Sequence, residues 1–342
     1  MSLGRSVGLT DTGRRRRRNE DSYVCEPPLF AIADGMGGAQ AGEVASRLAA
    51  AVLNEKALEP DGGGELSEAR IAELIQEANR RVFQRSNEDA AASGMGTTMT
   101  VALVDGPGGT VAIGHVGDSR AYRVRDGELE QLTEDHSLVN ELLKSGRLSP
   151  EEALSHPQRS VITRAIGTEP DVDVDTFTVD ARPGDLFLLC SDGLTDMISD
   201  GEILRLVENG DGDLDAAARQ LVQAANRSGG GDNITIVAFE IEEGVDDAVR
   251  TKRLDAPAEA VSTSADEDTL SGLERIPAVD TAVFAASDVR EHLDSGPAPE
   301  LEPAATVEPP RRSSPPRRLL PLILLVLFVA AITVLVVWGL YR

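Results

Sequence analysis

Five short acidic segments, far apart along the chain, carry side chains fit for chemistry: Asn19-Glu20-Asp21, Asp34-Gly35-Met36-Gly37-Gly38, Gly117-Asp118-Ser119-Arg120, Ser191-Asp192-Gly193 and Gly231-Asp232-Asn233. Carboxylates are hard oxygen donors, and glycines beside them let backbone carbonyls approach a cation. This donor set suits Mg²⁺ or Mn²⁺ better than a softer metal. Carboxylates held a few ångströms apart resist joint ionisation, so a fold that gathers them calls for divalent cations. The chemistry this implies is metal-assisted attack on a phosphate. A single aspartate at a strand end is more often a turn former or helix cap; the recurrence of the pattern is what points to a site.

The elements that must position these groups follow from periodicity and turn chemistry. Leu29 to Ala33 is an apolar strand running into Asp34, and Leu186 to Cys190 runs likewise into Ser191-Asp192. Helical spacing of apolar residues marks Glu43 to Leu58 and Ser67 to Asn87, with Ser67 placed as an N-cap. Thr98 to Val104, Thr110 to Val116, Arg120 to Arg125 and Glu128 to Leu132 read as strands of one antiparallel meander, its last turn the hairpin signal Asp126-Gly127. Two more strands are expected at Val174 to Val179 and Asp185 to Cys190, helices at Asp200 to Asn209 and Asp213 to Ser228, and a final strand at Asn233 to Ile241. Antiparallel strands with helices in separate blocks make the class α+β.

The chain has 342 residues and a formal net charge of −25, which argues against general nucleic-acid binding. One basic run, Arg14 to Arg18, stands apart; composition alone leaves it a solvated strip or a membrane-surface contact. Cys25 and Cys190 lie in apolar runs and read as buried, reduced thiols without a disulfide framework. No Cys/His cluster has zinc spacing, and Met1 to Arg5 leads into polar sequence with no apolar leader. From residue 243 to 318 the chain holds half of its 18 prolines with much Ala, Ser and acid. That composition cannot bury enough apolar surface to offset ordering and reads as a tether. Ile276 to Phe284 is an apolar island within it, either a docking motif or mere disorder. Leu319 to Leu340 has no charge over 22 residues, enough for about 30 Å of hydrocarbon. Arg311, Arg312, Arg317 and Arg318 precede it, placing the N-terminal side in the cytoplasm. The expected organisation is thus a globular domain at 1–242, a tether at 243–318, a transmembrane helix at 319–340 and an extracytoplasmic end at 341–342.

Taken with Arg16, Gly96-Thr97-Thr98, Gly114-His115-Val116 and Ile234-Thr235, the acidic segments resemble, in order and content, the metal-dependent serine/threonine phosphatases of type 2C over roughly residues 5 to 241. With the anchor, the whole is similar to the bacterial membrane-tethered members that oppose membrane serine/threonine kinases. The resemblance implies a four-layer α/β/β/α sandwich with two central antiparallel sheets and a binuclear Mn²⁺ or Mg²⁺ centre at one end. In that centre Asp34 would bridge two ions, Gly35 would offer its carbonyl, and Asp192 and Asp232 would complete one ion. Glu20 and Asp21 would hold water around the other, and Asp118 with Ser160 and Asp192 resembles a third-metal site. Arg16 would clamp the substrate phosphate; were the arginine run merely solvated, a neighbour would do so. Hydrolysis of phosphoserine and phosphothreonine would use a water shared by two cations, with charge spread by metals and a guanidinium.

Many eukaryotic relatives carry His where this chain has Met36, and methionine donates no proton, so the resemblance leaves the leaving-group acid unassigned. Metal-bound water is one candidate; His136 and His156, in a flap-like segment from Asp135 to Gly167, are the nearby side-chain alternatives, each more readily structural. Asp171-Val172-Asp173-Val174-Asp175 imitates a calcium loop but has Thr176 where glycine is needed and Arg182 where the bidentate glutamate belongs, so a strand edge is expected. Expected partners are phosphorylated proteins, among them a membrane kinase and its substrates, and the membrane itself, with no nucleic acid. The rivals are a partner-switching phosphatase for a small sigma-factor regulator and a catalytically dead phosphoprotein scaffold.

Overall fold

The computed structural model describes residues 1–37, 41–57, 68–89, 92–154, 156–210, 212–244 and 282–283, all within the compact unit Met1–Glu291. The expected tether, apart from 243–244 and 282–283, and the expected transmembrane helix and extracytoplasmic end lie outside the described residues, as does Ser67. Among the described residues no helix is long and apolar enough to cross a membrane.

Two five-stranded sheets face each other. The first is ordered β1 (Ser2–Asp11), β13 (Ile234–Glu242), β12 (Leu186–Cys190), β8 (Arg120–Arg125) and β9 (Glu128–Gln131). The second is ordered β11 (Asp175–Asp180), β7 (Thr110–Val116), β6 (Met99–Asp105), β3 (Leu29–Ala33) and β2 (Ser22–Glu26). Every neighbour pair within both sheets is antiparallel. A short pair joins β4 (Gly35–Met36) to β5 (Gly96–Thr97), and β10 (Val161–Ile162) pairs in parallel with β14 (Ala282–Val283), inside the apolar island of the tether.

The period of two in the sequence decides what each strand face touches. On β3, Leu29, Ala31 and Ala33 pack against Ala45, Val52 and Leu53 of α1 (Ala41–Ala57) and Ile71, Ile75 and Val82 of α2 (Glu68–Glu88). Phe30 and Ile32 turn the other way, into the space between the sheets. On β13 the same alternation sends Ile234, Ile236 and Ala238 towards Ile203 of α6 (Asp200–Glu208) and Leu221 of α7 (Leu214–Arg227). Val237, Phe239 and Ile241 meet the opposite sheet. Helices, sheet, sheet and helices make the four layers the resemblance implied.

The centre of the sandwich is an aromatic stack. Phe30 of β3 lies 4.2 Å from Phe239 of β13, centroid to centroid, and Phe239 lies 5.1 Å from Phe187 of β12. All three rings are fully buried; truncating one such ring to Ala typically costs about 3–5 kcal/mol.

Three readings need correction. The four strands between Thr98 and Leu132 are not one meander. β6 and β7 belong to one sheet and β8 and β9 to the other, because the chain crosses between sheets at Gly117-Asp118-Ser119, where Gly117 has φ +113°. The turn Asp126-Gly127 is the hairpin expected, with φ of 53° and 77° at the two positions. The long strand β1 is absent from the sequence reading, since Ser, Arg and Gly interrupt its apolar alternation; pairing along β13 overrides weak local preference. Finally, Cys190 is buried but Cys25 is only half-buried, on the outermost strand β2, and neither is in a disulfide.

Candidate metal and phosphate site

Strand register brings the acidic segments to one edge. Ser22 pairs with Ala33, so Asp21 and Asp34, one residue beyond each, become neighbours. Arg120 pairs with Cys190, which sets Asp118 and Asp192 side by side two residues beyond. Asp232 immediately precedes the strand β13 that lies next to β12. Asp34 thus comes from one sheet and Asp192 and Asp232 from the other. Each feels the others: burial first, then the charges of Asp21, Asp192, Asp232 and Asp118, holds the Asp34 carboxyl well above the usual range. Asp192 is raised well above it as well, by burial and then by Asp118 and Asp232. Burial, opposed by a Thr235 hydrogen bond, pushes Asp21 up to about 6. Burial with Asp135 and Asp196 pushes Asp118 up to about 7. Glu20, at the rim, is raised by burial, with Arg16 pulling the other way.

The carboxyl oxygens Oδ1 of Asp21, Asp118 and Asp192 are closed off from solvent and have no hydrogen-bond partner. A buried, unpaired carboxylate oxygen is costly, and three at one edge fit hard cations, which such a donor set favours. Among the described residues, no group of three His, Cys, Asp or Glu side chains is arranged so as to hold a metal ion by itself.

The backbone around the site is fixed by neighbours whose task the sequence did not disclose. Thr98 Oγ1 accepts from the Asp34 N–H at 3.0 Å, while the Thr98 N–H and the Thr97 hydroxyl both donate to the Asp34 carbonyl at 2.9 and 2.8 Å. Thr98 Oγ1 also meets Ser119 Oγ at 2.8 Å, tying the Asp34 turn to the crossover that carries Asp118. Asn233 accepts from the Glu20 N–H at 2.8 Å and donates through Nδ2 to the carbonyls of Thr12 and Arg18, each at 2.9 Å. Asn19 accepts from the Asp21 N–H at 3.1 Å. These residues were visible as motif members; only the three-dimensional contacts give them roles. Gly35 is required for space: a Cβ there would collide with the carbonyls of Gly42 and Glu20.

Arg16 Nη2 donates to Asp232 Oδ2 at 2.7 Å. Burial alone would lower its guanidinium, but the charge and hydrogen bond of Asp232 outweigh that and hold it above its ordinary value. Of the arginine run, Arg16 alone is half-buried; Arg14, Arg15, Arg17 and Arg18 are exposed. Ser160 lines, with Asp118, Asp192, Asp196 and Arg159, a cleft of about 680 Å³ that opens beside the acidic edge.

The flap-like segment contains α3 (Leu138–Lys144), α4 (Pro150–Leu154) and β10. Thr163 donates its N–H to the His136 carbonyl at 2.9 Å, and Ile166 exchanges backbone hydrogen bonds with Thr97. Met36 is 5% exposed and packs with Ile162 and Ala165, so the residue that replaces a proton donor serves as an apolar foot for the flap. His136 accepts from the Gly117 N–H through Nδ1 at 3.0 Å and faces Asp175 Oδ2 through Nε2 at 3.1 Å. Both ring nitrogens are thereby engaged in structure, and burial lowers the imidazole below its ordinary value. His156 accepts from the Gln158 N–H in a local turn at 3.2 Å. The calcium-loop imitation is a strand edge: Asp175 opens β11 and pairs with Arg164 at 2.5 Å.

The protein phosphatase 2C family description matches residues 16–230. The chain is 41% identical to the serine/threonine phosphatase stp of Listeria monocytogenes over 238 residues, 68% of this chain and 93% of that protein. Its fold superposes on the crystal structure of the Mycobacterium tuberculosis serine/threonine phosphatase PstP/Ppp with a TM-score of 0.66 at 41% identity, covering 71% of this chain and all of that one. A structure of the catalytic domain of the serine/threonine protein phosphatase PstP with two manganese ions is similar at a TM-score of 0.63 and 38% identity, over 70% of this chain and 99% of that one.

Proposed function

Because this chain belongs to the protein phosphatase 2C family and is a metal-dependent serine/threonine phosphoprotein phosphatase using Mn²⁺ or Mg²⁺, we propose roles for its residues and a place for it in the cell. Glu20, Asp21, Asp34, Gly35, Asp118, Ser160, Asp192 and Asp232 hold the cations, and Arg16 takes the substrate phosphate. The enzyme is tethered by its C-terminal segment to the cytoplasmic face of a membrane, where it opposes a membrane serine/threonine kinase. The observation that carries the site assignment is the set of unpaired, enclosed oxygens on Asp21, Asp118 and Asp192 beside the strongly raised Asp34.

When bound, the cations supply an acidified water and neutralise charge on the phosphoryl oxygens. The protein's own part is to hold and to orient. Asp34 is fixed through its backbone by Thr97 and Thr98, and Asp192 by the helical turn α5 (Asp192–Thr195), whose N-cap Ser191 accepts from the Thr235 N–H at 2.9 Å. Arg16 is stationed at the rim by its ion pair with Asp232, which would also be a cation ligand, and its planar fork would bond two oxygens of a substrate phosphate at once. Met36 carries no proton, so no side chain at that position assists the leaving alkoxide. The tether reading rests on the uncharged run Leu319 to Leu340 behind its arginines.

Mn²⁺-dependent phosphate release from a phosphothreonine peptide by the full chain, against Asp34→Ala and Asp192→Ala, tests the site. The variants are expected to lose activity by at least ~100-fold, the scale of removing a charge-stabilising group; equal rates would overturn the assignment. For the tether, the full chain should sediment with membranes and a chain ending at residue 242 should not. Identical fractionation would refute the anchor.

A further inference from the structure

We propose that Arg14, Arg15 and Arg17 form an accessory anion subsite that selects substrates bearing a second phosphate, or a cluster of acidic side chains, within a few residues of the phosphate removed. The inference rests on the phosphatase reading above and concerns which phosphopeptides that site accepts.

The strip is fixed to the site, not draped near it. The N–H groups of Arg14 and Arg15 both donate to the Gly230 carbonyl, at 2.9 and 3.1 Å, and the Arg18 carbonyl accepts from Asn233. Residues 230 and 233 bracket Asp232, which itself holds Arg16. The segment that presents the metal-site aspartate is therefore the one that positions the arginines. A Cβ added at Gly230 would meet Arg14 Cγ at 3.0 Å and one at Gly229 would meet Arg15 Nη2 at 4.0 Å, and both glycines have positive φ, so the bare turn leaves room for the strip beside it.

Charge makes the position matter. In a chain of net charge −25, Arg14, Arg15 and Arg17 are exposed, and among the described residues none of the three is in an ion pair. Unneutralised guanidinium groups raise the local concentration of anions and prefer bidentate phosphate or carboxylate partners. Arg15 and Arg17 flank Arg16 at one peptide unit each, about 3.8 Å between Cα atoms. With the scissile phosphate on Arg16, a second phosphate two or three residues along an extended peptide, roughly 7–10 Å away, falls within reach of an arginine side chain. A membrane surface would also attract such a strip, but facing lipid would turn the metal edge away from peptide substrates; proximity to Asp232 favours the peptide.

The test compares the full chain with the triple variant Arg14→Gln, Arg15→Gln, Arg17→Gln in Mn²⁺. Three substrates are used: a peptide with two phosphothreonines two residues apart, the same peptide singly phosphorylated, and p-nitrophenyl phosphate. Wild type should favour the doubly phosphorylated peptide by about tenfold in kcat/KM, the size of one charge-assisted contact, and lose that preference in 0.5 M salt. The variant should show no preference while hydrolysing p-nitrophenyl phosphate at the wild-type rate. An equal preference in both proteins, or none in either, overturns the proposal. So does a variant that keeps the preference but binds vesicles of 30% phosphatidylserine less tightly than wild type, since the strip then faces lipid. Failure of wild type on p-nitrophenyl phosphate would instead sink the phosphatase site itself.

Discussion

Removing the divalent cations should make the protein less stable as the medium becomes more alkaline, the reverse of what paired surface carboxylates do. The folded carboxyls of Asp21 and Asp118 stand at about 6 and about 7 against an ordinary 3.8. At 1.36 kcal/mol per unit these are penalties on the order of 3 and 4 kcal/mol for ionising them in the fold. Asp34 and Asp192 shift in the same direction. The four groups share one neighbourhood, so their costs overlap and do not simply add. Raised folded values mean that between about pH 4 and pH 7 the native state holds protons the unfolded chain has released, so stability falls as pH climbs through that window. A loss of about 4 kcal/mol corresponds to roughly 8–16 °C in Tm for a domain of this size. Thermal melts in EDTA from pH 5 to pH 8 should show that decline. Saturating Mn²⁺ should abolish or reverse it, because the cation competes with the protons and binds the folded state alone. Asp34→Asn should raise the EDTA Tm at pH 8 and shrink the response to Mn²⁺. A metal-free Tm that holds level or rises over that range would refute the electrostatic account of the site.

Three further outcomes follow from single contacts. Arg16→Lys keeps the charge but loses the planar fork, and should lower kcat/KM on phosphopeptides by about 10–100-fold with little change in Tm. Gly193→Ala places a Cβ against the Asn233 carbonyl, so the α5 turn must shift; Mn²⁺ affinity measured by calorimetry should fall while the metal-free fold persists. Met36→Ala empties the apolar contact with Ile162 and Ala165 and should destabilise by about 2–3 kcal/mol. It should speed proteolysis within residues 135–167 while leaving the pH profile of kcat unchanged, since no proton is lost.

Much of this architecture was legible because short-range physics dictated it. Phe30 and Ile32 alternate with Leu29, Ala31 and Ala33, and a strand buried on both faces followed at once. Asp126-Gly127 declared a hairpin, and the helices over α1, α2, α6 and α7 were written in the 3.6-residue spacing of Ile71, Ile75 and Val82 or of Leu214, Leu221 and Val222. The strand β1 was not legible, since its pattern is broken and only partnership with β13 makes it extended. Nor was the switch of sheets at Gly117. A tight glycine turn looks alike whether the chain pairs back on itself or passes to another layer, and Thr98 bonded to Ser119 decides the matter only in space. The acidic segments were readable as candidates from residue type and order. Their convergence depended on register, Ser22 opposite Ala33 and Arg120 opposite Cys190, and no single segment encodes that.

The three stacked phenylalanines have a consequence for how such an enzyme can change. Phe30, Phe187 and Phe239 ride on the strands β3, β12 and β13, whose ends bear Asp34, Asp192 and Asp232. At about 3.3 Å per strand residue the rings sit roughly 13–23 Å from those carboxylates, yet their thickness sets how far apart the two sheets stand. A smaller or bulkier side chain in the stack would act like a shim under a vice, widening or narrowing the gap between the strand ends that carry Asp34, Asp192 and Asp232. Mutation of the greasy interior would therefore reset that spacing while every candidate ligand stays as it is.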